Sequence, residues 1–265
     1  MEAILINLPC LKHAFLPFRT IRRFRIDKPL RNYYATQQLA SHYDADYALR
    51  PDVPFYLELA NDLQARVVAD IGAGTGLLCS RLAEQGHQAI GVEPQATMLS
   101  LARSQPHASK IRWIEGTAVN LEDECADLVV MTGHVAQYFL TQSAWVDVLT
   151  HALRALRAGG HVAFEIRNPE AEEWRGWANE TPRDLGWGTL QGQVSKDGDL
   201  ITHVDHWNDG VEEWTTSETL RFPTWNNVID GIKDAGLRTT KVWGDWNRGE
   251  VLSTSREWIF LLKAR

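Results

Sequence analysis

Short apolar runs alternate with helical patterns over the first two thirds of the chain. The run RVVADIG (residues 66–72) is apolar and β-branched without polar alternation, which is typical of a strand buried on both faces of a parallel sheet. HQAIGVE, KIRWIEG, ADLVVMTG and HVAFEIR follow as further strands, and the intervening segments have helical spacing and end at glycine or proline. This alternation predicts a doubly wound, mostly parallel α/β sheet.

The pattern changes after Asn168. Residues 170–221 contain no long helical pattern and read as three antiparallel strands joined by two Asp-Gly turns. The chain then returns to a helix (TWNNVIDGIKDAG) and two closing strands, LRTTKVWG and REWIFLLKA. The sequence therefore predicts a seven-stranded sheet with an antiparallel β cap inserted after the fifth strand, at the edge of the sheet where ligands bind.

These changes of pattern divide the chain into four parts. We expect a basic N-terminal extension over 1–32, an α/β core over 33–168, the cap over 169–222 and a closing helix with two strands over 223–265. In the extension, arginines follow a short apolar start, which is the reverse of the order in a secretory signal. A poorly ordered extension, a transit peptide and a membrane-touching basic helix all remain possible interpretations of it.

Charge and cysteine content restrict the partners. Residues 1–31 carry about +5 of a net charge of −7, so the rest of the chain carries about −12, which argues against a nucleic-acid partner. The three cysteines are widely spaced, which favours a reducing compartment such as the cytoplasm and excludes a cysteine zinc site. No apolar run is long enough for a transmembrane helix, so we expect no stable membrane association.

The segment VVADIGAGTGLL (67–78) places three glycines between a strand and a helix. This arrangement presents backbone N–H groups and a helix N-terminus to a ligand. Dinucleotide binding requires GxGxxG, but the third position of that motif is Leu77 here. Asp70, before the glycines, suits a cationic group better than a pyrophosphate, and Glu93, after the next strand, can accept hydrogen bonds from ribose hydroxyls.

The segment DIGAGTGLLCSRLAEQGHQAIGVEPQATMLSLAR resembles the cofactor-binding region of class I S-adenosylmethionine-dependent methyltransferases. The resemblance implies a Rossmann-like methyltransferase fold, S-adenosylmethionine as cofactor, and a small-molecule acceptor that is methylated on nitrogen or oxygen. The predicted cofactor-binding residues are twelve: Tyr43, Asp70, Gly72, Ala73, Gly74, Gly76, Glu93, Pro94, Met98, Thr117, Ala118 and Thr132.

The sequence departs from the family where the base of the cofactor binds. The loop after the third strand usually offers an aspartate to the adenine amino group, whereas this chain has Gly116, Thr117 and Ala118. The Thr117 hydroxyl or the Ala118 backbone is the expected replacement. The Asn/Asp-Pro-Pro-aromatic motif of amino-group nucleic-acid methyltransferases is also absent, which favours a small acceptor.

Histidines supply the candidate general bases. His134 follows the fourth strand and is the predicted base, while a role in fixing its loop or contacting cofactor is the alternative. In THVDHW, His203 and Asp205 share one face of a strand and His206 faces the other, so no metal site is predicted, and either histidine could face the acceptor. Arg167 and Asn168 lie where acceptor-binding groups are expected.

Two other functions are compatible with the motifs. One is a non-catalytic S-adenosylmethionine-binding module that acts as a sensor or scaffold. The other is an NAD(P)-dependent oxidoreductase, against which Leu77 and Asp70 both count. The sequence does not specify the acceptor, the methylated atom or the oligomeric state.

Overall fold

The computed structural model describes residues 30–31, 34, 50–179 and 181–265 of the 265-residue chain. The predicted extension up to residue 29 and the predicted cofactor residue Tyr43 lie outside the described residues. The strands are β1 Leu30–Arg31, β2 Val67–Ile71, β3 Gln88–Glu93, β4 Arg112–Glu115, β5 Ala126–Met131, β6 Leu156–Arg167, β7 Arg183–Asp184, β8 Thr189–Asp197, β9 Leu200–Asn208, β10 Glu213–Arg221, β11 Leu237–Trp243 and β12 Glu257–Ala264. The helices are α1 Asp52–Asp62, α2 Leu77–Glu84, α3 Ala96–Ala102, α4 Gln142–Ala155 and α5 Trp225–Asp234.

Seven strands form the large sheet in the order β11-β12-β6-β5-β2-β3-β4. Only β12 runs against its neighbours; it is antiparallel to both β6 and β11, while the pairs from β6 to β4 are parallel. The predicted seven-stranded, mostly parallel sheet is confirmed. Because the order reverses beside β2, the carboxyl ends of β2, β3 and β5 meet at one crevice in the sheet edge.

Two hydrophobic clusters cover the faces of this sheet. One contains Trp145 of α4 with Phe164 and Phe260, whose rings stack with centroids 5.0 Å apart. The other contains Tyr56 of α1 and Leu128 of β5. All five residues of β2 are buried, as its unbroken apolar pattern predicts, so β2 holds the glycine segment on a rigid support.

Helix α4 ends earlier than the sequence predicts. The pattern extends the helix to the glycine pair Gly159-Gly160, whereas α4 ends at Ala155 and β6 begins at Leu156. The Cys125 N–H donates to the Ala155 carbonyl at 2.9 Å, and Leu156 then pairs with Ala126. Pairing with β5 therefore replaces the last helical turn. Gly159 and Gly160 lie in the irregular segment that follows, where the register between β5 and β6 shifts.

A second sheet, in the order β1-β10-β9-β8-β7, forms the predicted antiparallel cap. Its three long strands are antiparallel, and the short β1 pairs in parallel with β10 through Thr215 and Thr216. Gln137 connects the cap to the large sheet, because its side chain donates to the Arg221 carbonyl at 2.9 Å and accepts from the Arg167 guanidinium at 2.9 Å.

In the part of the chain that the structure describes, helices are too short or too polar to cross a lipid bilayer.

Candidate active site

A cavity of about 450 Å³ lies at the carboxyl ends of the parallel strands, beneath the cap. Its floor is the loop after β2, and its sides come from the segments that follow β3, β4 and β5. On the cap side, Ser217, Glu218 and Thr219 of β10 contribute the wall. We call this space the donor cavity.

The glycine segment forms the floor because its backbone turns sharply after β2. The N–H groups of Gly72 and Ala73 both donate to the Val92 carbonyl, at 2.8 and 3.0 Å, which fixes the loop to β3. Gly74 has φ +56°, a left-handed conformation that L side chains rarely adopt, and a Cβ there would meet only Met98, at 3.7 Å. The backbone of Gly74 is therefore open to the cavity.

Glu93 lies at the end of β3 with both carboxylate oxygens held. Oε2 accepts from the Gly74 N–H at 2.9 Å, and Oε1 accepts from the Gln95 N–H at 2.8 Å. Burial raises the pKa of Glu93, and these two backbone bonds oppose that shift. Since each carboxylate oxygen can accept a second hydrogen bond, Glu93 retains capacity for two hydroxyl donors in the cavity.

Asp70 is the second carboxylate in the donor cavity. Its side chain is 1% exposed, and Oδ1 has no hydrogen-bond partner among the described residues. Burial raises the pKa of Asp70 to about 8, which the charge of Arg50 only partly opposes. A buried carboxylate oxygen without a hydrogen-bond partner is costly, so this position suits a ligand with a cationic group.

The pH dependence of stability tests this assignment. Because the pKa of Asp70 is about 8 in the folded state against an ordinary value of 3.8, the folded state retains a proton that the unfolded state has lost between these pH values. The contribution of Asp70 to stability therefore falls as pH rises from 4 to 8, by about 1.4 kcal/mol per pH unit. Urea unfolding of the ligand-free protein should show stability falling over this range, and Asp70→Asn should make the slope less steep. An equal slope in both proteins would contradict the raised pKa of buried Asp70.

The remaining predicted cofactor residues divide into those in the donor cavity and those outside it. Gly76 does not line the cavity, because it packs against Trp113 and Ala102, and Tyr43 lies outside the described residues. The ten predicted residues that line it are Asp70, Gly72, Ala73, Gly74, Glu93, Pro94, Met98, Thr117, Ala118 and Thr132. Their roles toward a ligand stay predictions.

The structure does not bring His134, the predicted general base, to the cavity. Its backbone N–H donates to Glu165 Oε1 at 2.7 Å, and its Nε2 lies 3.0 Å from both carboxylate oxygens of Glu257. Burial lowers the pKa of His134 to about 3, with Arg167 acting in the same direction, and burial raises the pKa of Glu257 to about 8. The geometry favours the alternative, in which His134 fixes its loop, because a neutral ring bonded to Glu257 is a poor base for a group in the cavity.

Several lining residues were not predicted from the sequence. Tyr34, Arg50 and Tyr138 come from segments without a recognisable motif, and Tyr138 donates to Glu218 across the cavity wall. Asp147 and His151 come from α4. Their i, i+4 spacing is visible in the sequence, but it does not reveal that this face of α4 lies against a ligand site.

A second cavity, of about 390 Å³, lies under the cap sheet, and we call it the cap cavity. It shares Tyr34 and Glu218 with the donor cavity. His203 lines it, with Nε2 3.0 Å from Asp205 Oδ2. His206 bonds Thr215 through Nδ1 at 3.1 Å and does not line it, so the two histidines face opposite sides as predicted.

Aromatic and cationic groups complete the cap cavity. Trp177 and Trp207 contribute indole rings, and the Arg167 guanidinium carbon lies 5.1 Å from the centroid of the Trp177 ring. Arg167 thus lines the cap cavity, and its role toward an acceptor stays a prediction. Asn168 does not line the cavity; its side chain donates to the Ser255 carbonyl at 2.7 Å and its oxygen accepts from the Glu170 N–H.

Comparisons with known proteins agree with this architecture. Residues 68–160 match the family model described as a methyltransferase domain. A structure of the CcbJ methyltransferase from Streptomyces caelestis superposes with a TM-score of 0.76 over 88% of this chain and 98% of that chain, at 20% identity. This likeness shows the shared fold.

Two curated relatives each match about half of the chain. An uncharacterized methyltransferase of Mycobacterium tuberculosis is 32% identical over 141 residues, which cover 52% of this chain and 50% of the relative. A ubiquinone biosynthesis O-methyltransferase of Aliivibrio fischeri is 29% identical over 122 residues, which cover 43% and 49%. The chain thus spans about half the length of the curated relatives it matches.

The chain thus has the Rossmann-like fold that the resemblance implies, and residues 68–160 are similar to a methyltransferase domain. A structure of an S-adenosylmethionine-dependent methyltransferase from Clostridium acetobutylicum also has this fold, with a TM-score of 0.74 over 86% of this chain and 98% of that chain, at 17% identity.

Proposed function

We propose that the protein transfers a methyl group from S-adenosylmethionine to a nitrogen or oxygen atom of a small-molecule acceptor. The observation that carries this proposal is that one cavity contains a buried carboxylate at Asp70, whose Oδ1 has no hydrogen-bond partner in the described part of the chain, and a second carboxylate at Glu93, separated by an open glycine loop. When bound, the cofactor supplies an electrophilic methyl group on a sulfonium.

The two carboxylates fit the two polar parts of this cofactor. Asp70 suits the amino group of the methionine portion, because a cation would compensate its buried charge. Glu93 suits the two ribose hydroxyls, since its oxygens are already oriented by Gly74 and Gln95. The Gly74 backbone and the apolar Met98 side chain then enclose the nucleoside.

The cap cavity is the proposed acceptor site. Its volume of about 390 Å³ suits a small molecule, and Trp177 and Trp207 offer apolar surface to it. It adjoins the donor cavity through the shared residues Tyr34 and Glu218. Alignment of the acceptor with the methyl group and exclusion of water by the cap would supply much of the rate acceleration.

His203 is the proposed general base in place of His134. Burial opposes a charge on the ring, but the hydrogen bond and the charge of Asp205, together with the charge of Glu218, outweigh it and raise the pKa of His203 above 6.5. Asp205 orients the ring, as a carboxylate does for a catalytic histidine. A base is useful for a hydroxyl acceptor, and the relative from Aliivibrio fischeri is named as an O-methyltransferase.

Incubation with methyl-tritiated S-adenosylmethionine and a low-molecular-mass metabolite extract tests the proposal. We expect label in a small product, and we expect His203→Ala to lower this transfer about a hundredfold without changing the affinity for S-adenosylhomocysteine. His206→Ala is the matched control, because His206 lies on the other face of β9 and should leave the rate unchanged.

Two results would favour the alternatives. Binding of S-adenosylhomocysteine without acceptor-dependent label in any fraction would indicate the sensor or scaffold. Binding of NADH in its place would indicate the oxidoreductase. The charge of about −12 over residues 32–265 and the widely spaced cysteines support a cytoplasmic enzyme without a nucleic-acid partner.

A further inference from the structure

The order of the strands determines where the base of a nucleoside lies in the donor cavity. Along the sheet edge, Glu93 of β3 lies between Asp70 of β2 and the segment that follows β4. The Gly116 N–H donates to the Glu93 carbonyl at 3.1 Å, so this segment begins directly beside Glu93. A ligand with its ribose at Glu93 and its cationic end at Asp70 has its base beside residues 116–119.

This end of the cavity lacks a side-chain carboxylate from the loop after β4. The lining residues there are Gly116, Thr117, Ala118 and Val119. The Thr117 N–H already donates to Asn120 Oδ1 at 2.9 Å, which closes the turn on itself. The 6-amino group of adenine is a hydrogen-bond donor, and the loop offers it no charged acceptor.

Helix α4 packs on the turn after β4 and contributes a carboxylate to the donor cavity. Arg154 of α4 donates to the carbonyls of Val119 and Leu121 at 3.0 and 2.6 Å, which fixes the helix against the turn. One and two helical turns earlier, His151 and Asp147 both line the donor cavity, with His151 Nε2 3.6 Å from Asp147 Oδ1.

We propose that Asp147 accepts a hydrogen bond from the 6-amino group of the bound adenine and that His151 is the positioning residue for this carboxylate. The inference rests on the proposed function, since it requires an adenosyl ligand in the donor cavity. In the related methyltransferases an aspartate in the loop after the third predicted strand, here β4, binds the adenine amino group. The proposal assigns that hydrogen bond to Asp147 of α4 instead. Because the Asp147 side chain is 74% exposed, solvent screens the bond and the effect is moderate.

Calorimetric titration with two nucleosides tests this proposal. The probes are S-adenosylhomocysteine and S-inosylhomocysteine, in which a carbonyl oxygen replaces the 6-amino group. We expect the wild type to prefer the adenosyl compound about tenfold, and Asp147→Ala to reduce that preference to about twofold by weakening only the adenosyl compound. We expect His151→Ala to reduce the preference to an intermediate value.

Asp230→Ala is the matched control. Asp230 lies on α5, is exposed, and is 3.6 Å from Lys233, so it reproduces the residue type and the ion pair away from the cavity. The Asp230→Ala variant should prefer S-adenosylhomocysteine over S-inosylhomocysteine as strongly as the wild type does. An unchanged preference in Asp147→Ala, an equal loss of affinity for both compounds, or a wild type without preference would overturn the inference. A wild type that binds neither compound would instead overturn the proposed function.

Discussion

Gly76→Ala is expected to lower the free energy of unfolding by about 3 kcal/mol. Gly76 has φ +78°, and a Cβ there would lie 2.5 Å from the indole of Trp113 and 3.0 Å from Ala102. The indole has no room to retreat, because it also covers Gly91, where a Cβ would lie 2.3 Å from the ring. Urea denaturation monitored by circular dichroism measures the change.

Gly86→Ala separates the close contact from the backbone strain. Gly86 also has a positive φ, of +92°, but no atom lies within 4 Å of a Cβ at this position. We expect Gly86→Ala to lower the free energy of unfolding by about 1 kcal/mol, because only the strained backbone contributes. Equal losses in the two variants would show that the contact with Trp113 contributes nothing.

Glu93→Ala is expected to weaken the binding of S-adenosylhomocysteine by about 2 kcal/mol, a rise in Kd of about thirtyfold. The substitution removes both proposed acceptors for the ribose hydroxyls. It also leaves the Gly74 N–H without its carboxylate partner, so the glycine loop loses the bond that fixes it to the end of β3. Isothermal titration calorimetry gives the affinity directly.

Glu84→Ala provides the control for this substitution. Glu84 is an exposed residue at the end of α2 that pairs with Arg81 and does not line the donor cavity. The affinity of Glu84→Ala for S-adenosylhomocysteine should match that of the wild type. If Glu93→Ala also binds with unchanged affinity, the ribose is held by other groups and the proposed orientation of the nucleoside is wrong.

The sequence predicts the sheet well because its signals are local. Each strand from β2 to β6 is a short apolar run, and the glycine segment marks the turn from β2 to α2. The cap is equally visible, since two Asp-Gly turns separate strands of nearly equal length. The end of α4 was predicted wrongly because Leu156 pairs with Ala126, 30 residues away, and local periodicity carries no information about that pairing.

The candidate site is only partly predictable for the same reason. Asp70 and Glu93 follow directly from their positions at strand ends. The placement of the His134 ring depends on Glu257, which lies 123 residues further along the chain. The approach of Asp147 to the donor cavity depends on how α4 packs on the turn after β4. These positions are determined by tertiary packing.

The cap and the large sheet are separate hydrogen-bonded sheets, so the cap sequence can vary independently of the large sheet. Strands β7 to β10 pair with one another and with β1, while no strand of the described chain joins the two sheets edge to edge. Side chains on the inner face of the cap can therefore be exchanged without disturbing the register of the strands that carry Asp70 and Glu93. Libraries that randomise positions such as Leu190 and Leu220 would keep the donor cavity unchanged while varying the shape of the cap cavity, and with it the set of small molecules that fit.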